Sequence, residues 1–509
     1  MLFNNKNQHQ NPKTPGMRLY FLPPESDFVS DVVEGLIQKI CNSNHETSKK
    51  KLPKVRILTS SIRSASRITS LFRQQNLEFM PIISQVEELS DLLKKQSNES
   101  KKKEGPKELH FEVISDFERY LHIENLLQEY EPSYSKKSPV ITSFEIADNL
   151  TKFLEETYYN SINIRDIRKL PLENYFRKWS LSTETIQHIF ESYERKLLNL
   201  KKIDPIRKFN IMVGKLITQW ESEPYREPLL LVGSTGTRSA TSDLIRAISF
   251  LPQGAVIFPG LDKNFPVEYW DTINPDHPQY GFSSLSKKWG LKTNSSNEIY
   301  QSCLWYAKDQ SLSSSMQTAK SKLLSIAMQP AILTEKWHHY SKDREPDFDA
   351  ALKNISIIEA ENSRVEAAAI CAKIKKTLDE EQTVTLVTPS SLIARRVATE
   401  LRQWDIEPYN TMTSPLLISE FCIFLRQTLN VLSSGFVGEE LISLLKNPNC
   451  SKGSESFVKN TLKFEFMGFL RSPIVEDLQQ KTQVAWGLGK EFYDWYCWIQ
   501  DLCCQFYPK

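Results

Sequence analysis

Short apolar runs, each followed by a segment with helical periodicity, constrain the fold of this chain more than any other feature. A short continuous apolar run between turn signals is typical of a strand buried in a parallel sheet. Alternation of such strands with helices is the pattern of an α/β fold. The predicted strands are Met17–Leu22, Val55–Thr59, Pro228–Gly233, Gly254–Phe258, Ile355–Ile358 and Thr383–Thr388.

Two long stretches lack this alternation and have helical periodicity throughout. They predict two α/β domains, each with an α-helical insertion, and the polar stretch from Ser90 to Lys107 is expected to be a solvated loop that opens the first insertion. The predicted segments are 1–16 for a disordered N-terminus, 17–108 and 228–345 for the two parts of the first domain, 109–227 for its helical insertion, 346–410 for the start of the second domain, and 411–509 for the second helical insertion.

The net charge and the lengths of the apolar runs limit which partners and which cellular location can be expected for this chain. A net charge of +2 gives no overall attraction to nucleic acid, so any such site must be a local patch. The N-terminus has no apolar core of a signal peptide, and no apolar run approaches the length that crosses a bilayer. The eight cysteines are dispersed and are interpreted as reduced thiols. We therefore expect a cytoplasmic protein that does not associate with membranes.

No motif in the sequence predicts a catalytic or metal site. A phosphate-binding loop needs backbone N–H donors, a lysine and a Ser or Thr after the first strand. The corresponding turn, Phe21–Asp27, has no glycine or lysine, and it carries two prolines and two carboxylates. Glu99–Lys101 and Glu194–Lys196 match the Glu-x-Lys part of a nuclease site, but no Pro-Asp precedes them. Histidines and cysteines lack zinc-ligand spacing. The sequence therefore predicts no catalytic residues, no metal site and no cofactor in this chain.

Basic side chains are the plausible binding features. Arg63 and Arg67 lie on the predicted helix after the second strand, and Arg395 and Arg396 lie on a later one. Such side chains at the ends of α/β strands can contact a phosphate backbone, although a solvated helix face is the default interpretation for each cluster taken alone. The loop Gly233–Gly236 is either a weak anion site or a tight turn, and the turn is the favoured interpretation.

The segment Leu229–Gly290 resembles the AddB family of double-strand break repair subunits, of the alphaproteobacterial type. The resemblance is carried by LPQGAVIFPGLD at 251–262, by Trp270, and by DHPQYGF at 276–282. Supporting tracts follow the same order along most of the chain, and they are Phe21–Pro24, Val55–Ser60, Lys202–Arg207, Ser363–Ile370, Val387–Ser390 and Glu400–Trp404.

The resemblance implies a fold and an assembly. AddB pairs with AddA as a heterodimeric helicase–nuclease that resects broken DNA ends for homologous recombination. Its N-terminal half is helicase-like, with two RecA-like parallel-sheet domains that each carry an α-helical insertion. Its nuclease domain follows, and this chain is expected to end before any such domain. Mg²⁺ and ATP are expected only through the AddA-type partner.

The implied function is that of an ATP-inactive subunit that binds DNA with a single-stranded tail within this exonuclease complex. Two alternatives stay open, namely a truncated, non-functional remnant of that subunit and an independent ATP-dependent DNA helicase. A candidate recognition loop contains Asp262, Trp270, Asp271, His277 and Tyr280, although the favoured interpretation is that Trp270 and Tyr280 pin this loop to its domain. The candidate DNA-binding residues are Arg63, Arg67, Ser234, Thr235, Thr237, Arg238, Arg364, Arg395 and Arg396.

Overall fold

The protein divides into two compact units, Met1–Ile355 and Ser356–Lys509. The predicted disordered N-terminus, 1–16, lies outside the residues that the structure describes. A computed structural model describes residues 17–41, 54–75, 80–97, 110–130, 143–169, 182–262, 264–289, 305, 315–338, 347–409, 416–434, 436, 438–451, 454–466 and 482–506.

A five-stranded, wholly parallel sheet organises the first unit, with strand order β1-β7-β6-β2-β3. A second, two-stranded parallel sheet pairs β4 with β5 beside the helices of the insertion. The strands are β1 (Leu19–Leu22), β2 (Arg56–Thr59), β3 (Ile82–Gln85), β4 (Glu112–Val113), β5 (Lys202–Ile203), β6 (Leu229–Val232) and β7 (Gly254–Pro259).

Helices connect these strands and cover both faces of the main sheet. Short 3-10 helices occur at Ile164–Lys169, Val267–Thr272 and Ala331–Lys336. The α-helices of this unit are α1 (Phe28–Cys41), α2 (Ile62–Gln74), α3 (Ser90–Ser97), α4 (Asp116–Tyr130), α5 (Ser143–Tyr159), α6 (Thr183–Leu200), α7 (Pro205–Ser222), α8 (Ser239–Phe250), α9 (Tyr280–Trp289), α10 (Ser315–Ala327) and α11 (Phe348–Leu352).

Alternate residues of each strand build two separate cores, as the pleat of a strand requires. On one face, strand residues such as Leu230 pack against α1 and α2. On the other face, neighbours such as Leu231 pack against α3, α7, α8 and α9. The main sheet is therefore buried on both sides, which explains why strands β6 and β7 at its centre are apolar throughout.

The helical insertion is a bundle of α4, α5, α6 and the first part of α7 with its own core. Arg119 of α4 is buried at its base and forms ion pairs with Asp116, Glu155 and Asp204. Asp204 is fully buried and also caps α7, because its side chain accepts a hydrogen bond from the Ile206 amide at 2.9 Å. One continuous helix, α7, contributes to both the bundle and the sheet core, so it joins the insertion to the α/β domain.

Two parts of the sequence-based prediction for this unit were wrong. Strand β3 was not predicted, because it is a short edge strand with Ile82 at 40% exposure and a polar end. The expected solvated loop at Ser90–Lys107 begins instead with α3, where Leu92 is fully buried against the sheet. Residues 98–107 of that expected loop lie outside the described residues.

All regular secondary structure in the described ranges of the second unit is helical. The segments Ile355–Ile358 and Thr383–Thr388, which were predicted as strands, pair with no other described segment. The helices that follow them pack together around Cys371 and Val397. The elements are α12 (Ser363–Asp379), α13 (Ser391–Arg402), a 3-10 helix (Leu416–Ile418), α14 (Glu420–Ser433), α15 (Gly438–Leu445), α16 (Pro448–Ser451), α17 (Glu455–Phe466), α18 (Thr482–Gly487) and α19 (Lys490–Phe506).

Candidate nucleic-acid interface

The carboxyl edge of the main sheet gathers the candidate residues of the first unit. Strands β2 and β6 are neighbours, but β2 leads into α2 on one face and β6 leads into α8 on the other. Such a topological switch point opens a crevice where ligands of open α/β sheets bind. The two loops contact each other there, since Ser60 Oγ donates a hydrogen bond to the Gly233 carbonyl at 3.0 Å.

The start of α2 places basic side chains at this edge. Ser61 caps the helix, because its Oγ accepts a hydrogen bond from the Ser64 amide at 3.1 Å, and this bond fixes where the helix begins. Arg63 and Arg67 follow, one helical turn apart and both exposed. The positive charge of Arg67 acts on Asp27 at the start of α1. The pKa of Asp27 is lowered mainly by a hydrogen bond from the Ser30 hydroxyl and further by the Arg67 guanidinium.

The loop after β6 is shaped from beneath by apolar packing. Gly236 has φ +64°, and a Cβ on it would lie 2.8 Å from Ile245 Cδ1 and 3.0 Å from Leu285 Cδ2. Glycine is therefore required there for both conformation and space. Ser234 is buried, whereas Thr235 and Thr237 are exposed at the edge.

Arg238 ends this loop and begins α8. Its side chain is exposed, and it forms no capping hydrogen bond to the helix. The guanidinium carbon Cζ instead lies 3.7 Å from the centroid of the Tyr159 ring, at the end of α5 in the bundle. Tyr159 gave no signal in the sequence, because a contact between residues so far apart depends on the tertiary fold.

The first strand-to-helix turn is closed by its own side chains and carbonyls. The Ser26 amide and hydroxyl both donate to the Pro23 carbonyl, at 3.2 and 3.0 Å. Asp27 accepts from the amide and the hydroxyl of Ser30 and so caps α1. Glu25 is exposed beside it. This side of the edge is therefore acidic, whereas the side formed by β2 and β6 is basic.

The candidate recognition loop after β7 is tied down by internal contacts. Trp270 is buried in the sheet core, and its carbonyl accepts a hydrogen bond from Ser283 Oγ at 2.7 Å. His277 Nδ1 accepts from the Gln279 amide at 3.1 Å, so its other ring nitrogen is the donor to the Met328 carbonyl at 2.8 Å. These contacts anchor the loop to its domain, as the favoured interpretation expects of Trp270.

The other predicted members of this loop and one missed residue complete it. Tyr280 is partly buried against the sheet core, and Asp271 is exposed and pairs with Lys287 at 3.0 Å. Gln279 was not predicted, yet its buried amide donates to the Gly260 carbonyl at 3.0 Å and accepts from the Asp262 amide at 3.1 Å. The side chain of one buried glutamine thus satisfies two backbone groups, the Gly260 carbonyl and the Asp262 amide. Hydrophobic periodicity in the sequence does not identify such a residue.

The candidate arginines of the second unit lie on α12 and α13. Arg364 is exposed in the first turn of α12, whose start is capped by Asn362. Arg395 and Arg396 are exposed on α13, and Arg396 donates to the Ser363 hydroxyl. The structure therefore brings Arg364 and Arg396 to one end of the α12–α13 pair.

Within the described residues, no group of three or more His, Cys, Asp or Glu side chains is arranged to hold a metal ion. Also within those ranges, no helix has both the length and the apolar composition that a bilayer crossing requires. No protein-family model matches the sequence, and no curated protein shows significant similarity to it.

Proposed function

We propose that this chain is a helicase-like, ATP-inactive subunit that binds DNA within an AddAB-type helicase–nuclease, which resects double-strand breaks for recombination. The observation that carries the proposal is the basic side of the carboxyl edge, at the switch point between β2 and β6. Exposed Arg63 and Arg67 and the polar loop up to Arg238 lie there, where phosphates of a single strand find both charge and hydrogen-bond donors.

The first turn supports the ATP-inactive part of the proposal. A nucleotide loop cradles phosphates with unpaired backbone N–H groups and a lysine. Here the Ser26 and Ser30 amides already donate within the turn, and the exposed carboxylates of Glu25 and Asp27 repel phosphate. In this proposal, ATP and Mg²⁺ are handled by the AddA-type partner.

The same proposal assigns both units to RecA-like domains. The parallel sheet of the first unit is covered by helices on both faces, as such a domain requires. In the second unit, the apolar segments Ile355–Ile358 and Thr383–Thr388 alternate with α12 and α13 in the same sequence pattern. Arg364, Arg395 and Arg396 would then contribute further phosphate contacts from this second domain.

Binding of a fluorescent duplex with a single-stranded tail, measured as a function of salt, tests the interface. We expect the double variant Arg63→Gln/Arg67→Gln to bind more weakly and to lose about 1.4 from the slope of log K against log salt, at about 0.7 per phosphate contact. Arg73→Gln is the matched control on the same helix, because Arg73 lies beside the groove between α2 and β3. Equal effects of the double variant and of Arg73→Gln would contradict the interface.

Co-purification with an AddA-type subunit from the same source tests the assembly, with ATPase and exonuclease assays on the same material. We expect a complex whose catalysis depends on the partner. ATP hydrolysis by this chain alone would instead favour an independent ATPase. Failure to bind either DNA or the partner would favour a non-functional remnant.

A further inference from the structure

The contact between Arg238 and Tyr159 joins the helical bundle to the carboxyl edge of the sheet. Arg238 belongs to the loop after β6, and Tyr159 is the last residue of α5. A distance of 3.7 Å from Cζ to the ring centroid places the guanidinium against the face of the ring. The attraction is that of a cation with the electron-rich ring face, strengthened by stacking of two flat groups.

Stacking holds the guanidinium without using its hydrogen-bonding capacity. The N–H donors of arginine lie in the guanidinium plane, whereas the ring contacts its face. Among the described residues, Arg238 makes no ion pair with a carboxylate, and its side chain does not cap α8. Arg67, by contrast, acts on the charge of Asp27. Arg238 therefore offers a positioned cation whose donors have no acidic partner in the part of the chain that the structure describes.

Tyr159 is itself well supported, so it can fix the position of Arg238. Its ring packs against the core of the bundle. The preceding residue, Tyr158, is buried and donates its hydroxyl to Glu194 Oε1 at 3.2 Å. The Tyr158 carbonyl accepts from Asn210 Nδ2 of α7 at 2.7 Å. The end of α5 is thus attached to two other helices, α6 and α7.

We infer that Tyr159 is a positioning residue that holds Arg238 for contact with a phosphate of single-stranded nucleic acid, and that the helical insertion is thereby part of the interface. The inference rests on the proposed function and adds to it a residue outside the α/β domain. A pre-positioned side chain loses less conformational freedom when it binds, so affinity depends on the ring even though the ring itself contacts no phosphate.

A double-mutant cycle on the full chain tests the inference, with a fluorescent single-stranded oligonucleotide as the probe. We expect Tyr159→Leu to weaken binding roughly two- to fivefold, and Tyr159→Phe, which retains the ring face, to bind as the wild-type protein does. In the Arg238→Gln background, Tyr159→Leu should have no further effect, because it acts only through Arg238. A loss of the same size in both backgrounds would overturn the inference, as would unchanged binding by Tyr159→Leu.

Arg238→Lys gives a second test that leaves the bundle unaltered, should Tyr159→Leu disturb the fold of α5. Lysine retains the charge but cannot stack as a flat group, so we expect binding to weaken roughly twofold or more. Wild-type binding by Arg238→Lys would overturn the inference. The two proposals fail differently. If Arg63→Gln/Arg67→Gln loses binding while Tyr159→Leu and Arg238→Lys bind as the wild-type protein does, the role of Tyr159 is overturned and the proposed function stands. If the wild-type chain does not bind DNA, both are overturned.

Discussion

Single residues at the carboxyl edge owe their conformation to the groups packed beneath them. Gly236 is enclosed by Ile245 and Leu285, whereas Gly260, which also has a positive φ of +72°, has no atom within 4 Å of the position a Cβ would take. The two glycines therefore separate the cost of backbone conformation from the cost of lost space.

Gly236→Ala is expected to destabilise the α/β domain more than Gly260→Ala. Both substitutions force a side chain into the left-handed region, at a cost of about 1 kcal/mol. Only Gly236→Ala also displaces neighbouring core side chains, which adds about 1–3 kcal/mol. Hydrogen exchange of the slowest amides in β6 and α8 measures the difference. Equal loss of protection in the two variants would contradict the role of packing at Gly236.

Asp27 is expected to make the start of α1 sensitive to acid. The pKa of Asp27 is lower in the folded state than in the unfolded chain, mainly because of the hydrogen bond from Ser30. The contribution of its charge to stability is therefore complete above the unfolded pKa, and it is lost as the pH falls through the folded pKa. Asp27→Ala should weaken protection of the first-turn amides by about 0.5–2 kcal/mol at pH 7, and by less at pH 3. Hydrogen exchange at matched pH is the measurement.

Asp27→Asn is the control for this prediction, because an asparagine retains the cap but does not titrate. Its protection relative to Asp27→Ala should not depend on pH. A loss in Asp27→Ala that is the same at pH 3 as at pH 7 would show that the charge of Asp27 plays no part.

At the scale of elements, burial decides which strands and helices could be predicted from the sequence. Strands β1, β2, β6 and β7 were predicted within two residues of their observed bounds, because both of their faces are buried and their runs are mostly apolar. Strand β3 was missed because none of its residues is fully buried and its second half, Ser84 and Gln85, is polar. The switch point between β2 and β6 was not predicted, because it depends on the order of the strands in the sheet, and local sequence does not determine that order.

Contacts between distant elements were the part of the candidate site that could not be predicted. The stacking of Arg238 on Tyr159 depends on where the chain returns from the helical insertion, and the two hydrogen bonds of Gln279 depend on how the loop after β7 folds back on itself. Arg238 itself was identified from its loop position, but its supporting ring was not. Sequence periodicity reports which face of an element is buried, and it does not report the partner that the face meets.

The buried cluster around Arg119 is expected to hold α4, α5 and α7 together. Burial opposes the charge of Arg119, but Asp204 and the other carboxylates outweigh it and raise the pKa of Arg119. Asp204→Ala removes the cap of α7 and leaves buried charge without its main partner, so the opening free energy of the bundle should fall by about 3–5 kcal/mol. Hydrogen exchange of α4 and α7 measures it.

An exposed ion pair in the same bundle provides the control for Asp204. Asp148 and Lys152 pair at 2.6 Å on the outer face of α5, so Asp148→Ala should change the opening free energy by about 0.5 kcal/mol or less. Similar effects of Asp148→Ala and Asp204→Ala would show that burial does not increase the contribution of the Arg119 cluster to the opening free energy of the bundle.

At the scale of the whole molecule, the chain has separate cores for its two units. In the first unit, the cores lie on the two faces of the main sheet and inside the helical bundle. In the second unit, the helices α14–α19 pack around a core that includes Phe464 and Tyr496. Ile357 and Val387, in the two segments that were predicted as strands of the second domain, are 88% and 89% exposed. Apolar sequence of the kind found in buried strands is therefore left uncovered by the described residues of that unit.

Separate cores predict that damage to one unit leaves the other intact. Leu230→Ala in the central strand β6 should cost about 2–5 kcal/mol and raise hydrogen exchange in the sheet and its helices. Phe464→Ala should cost about 3–5 kcal/mol and raise exchange in α14–α19. Leu462→Ala, on the same helix but 44% exposed, is the control and should have a much smaller effect. If either core substitution raised exchange equally in both units, the two would form one cooperative structure, which would contradict the separate cores.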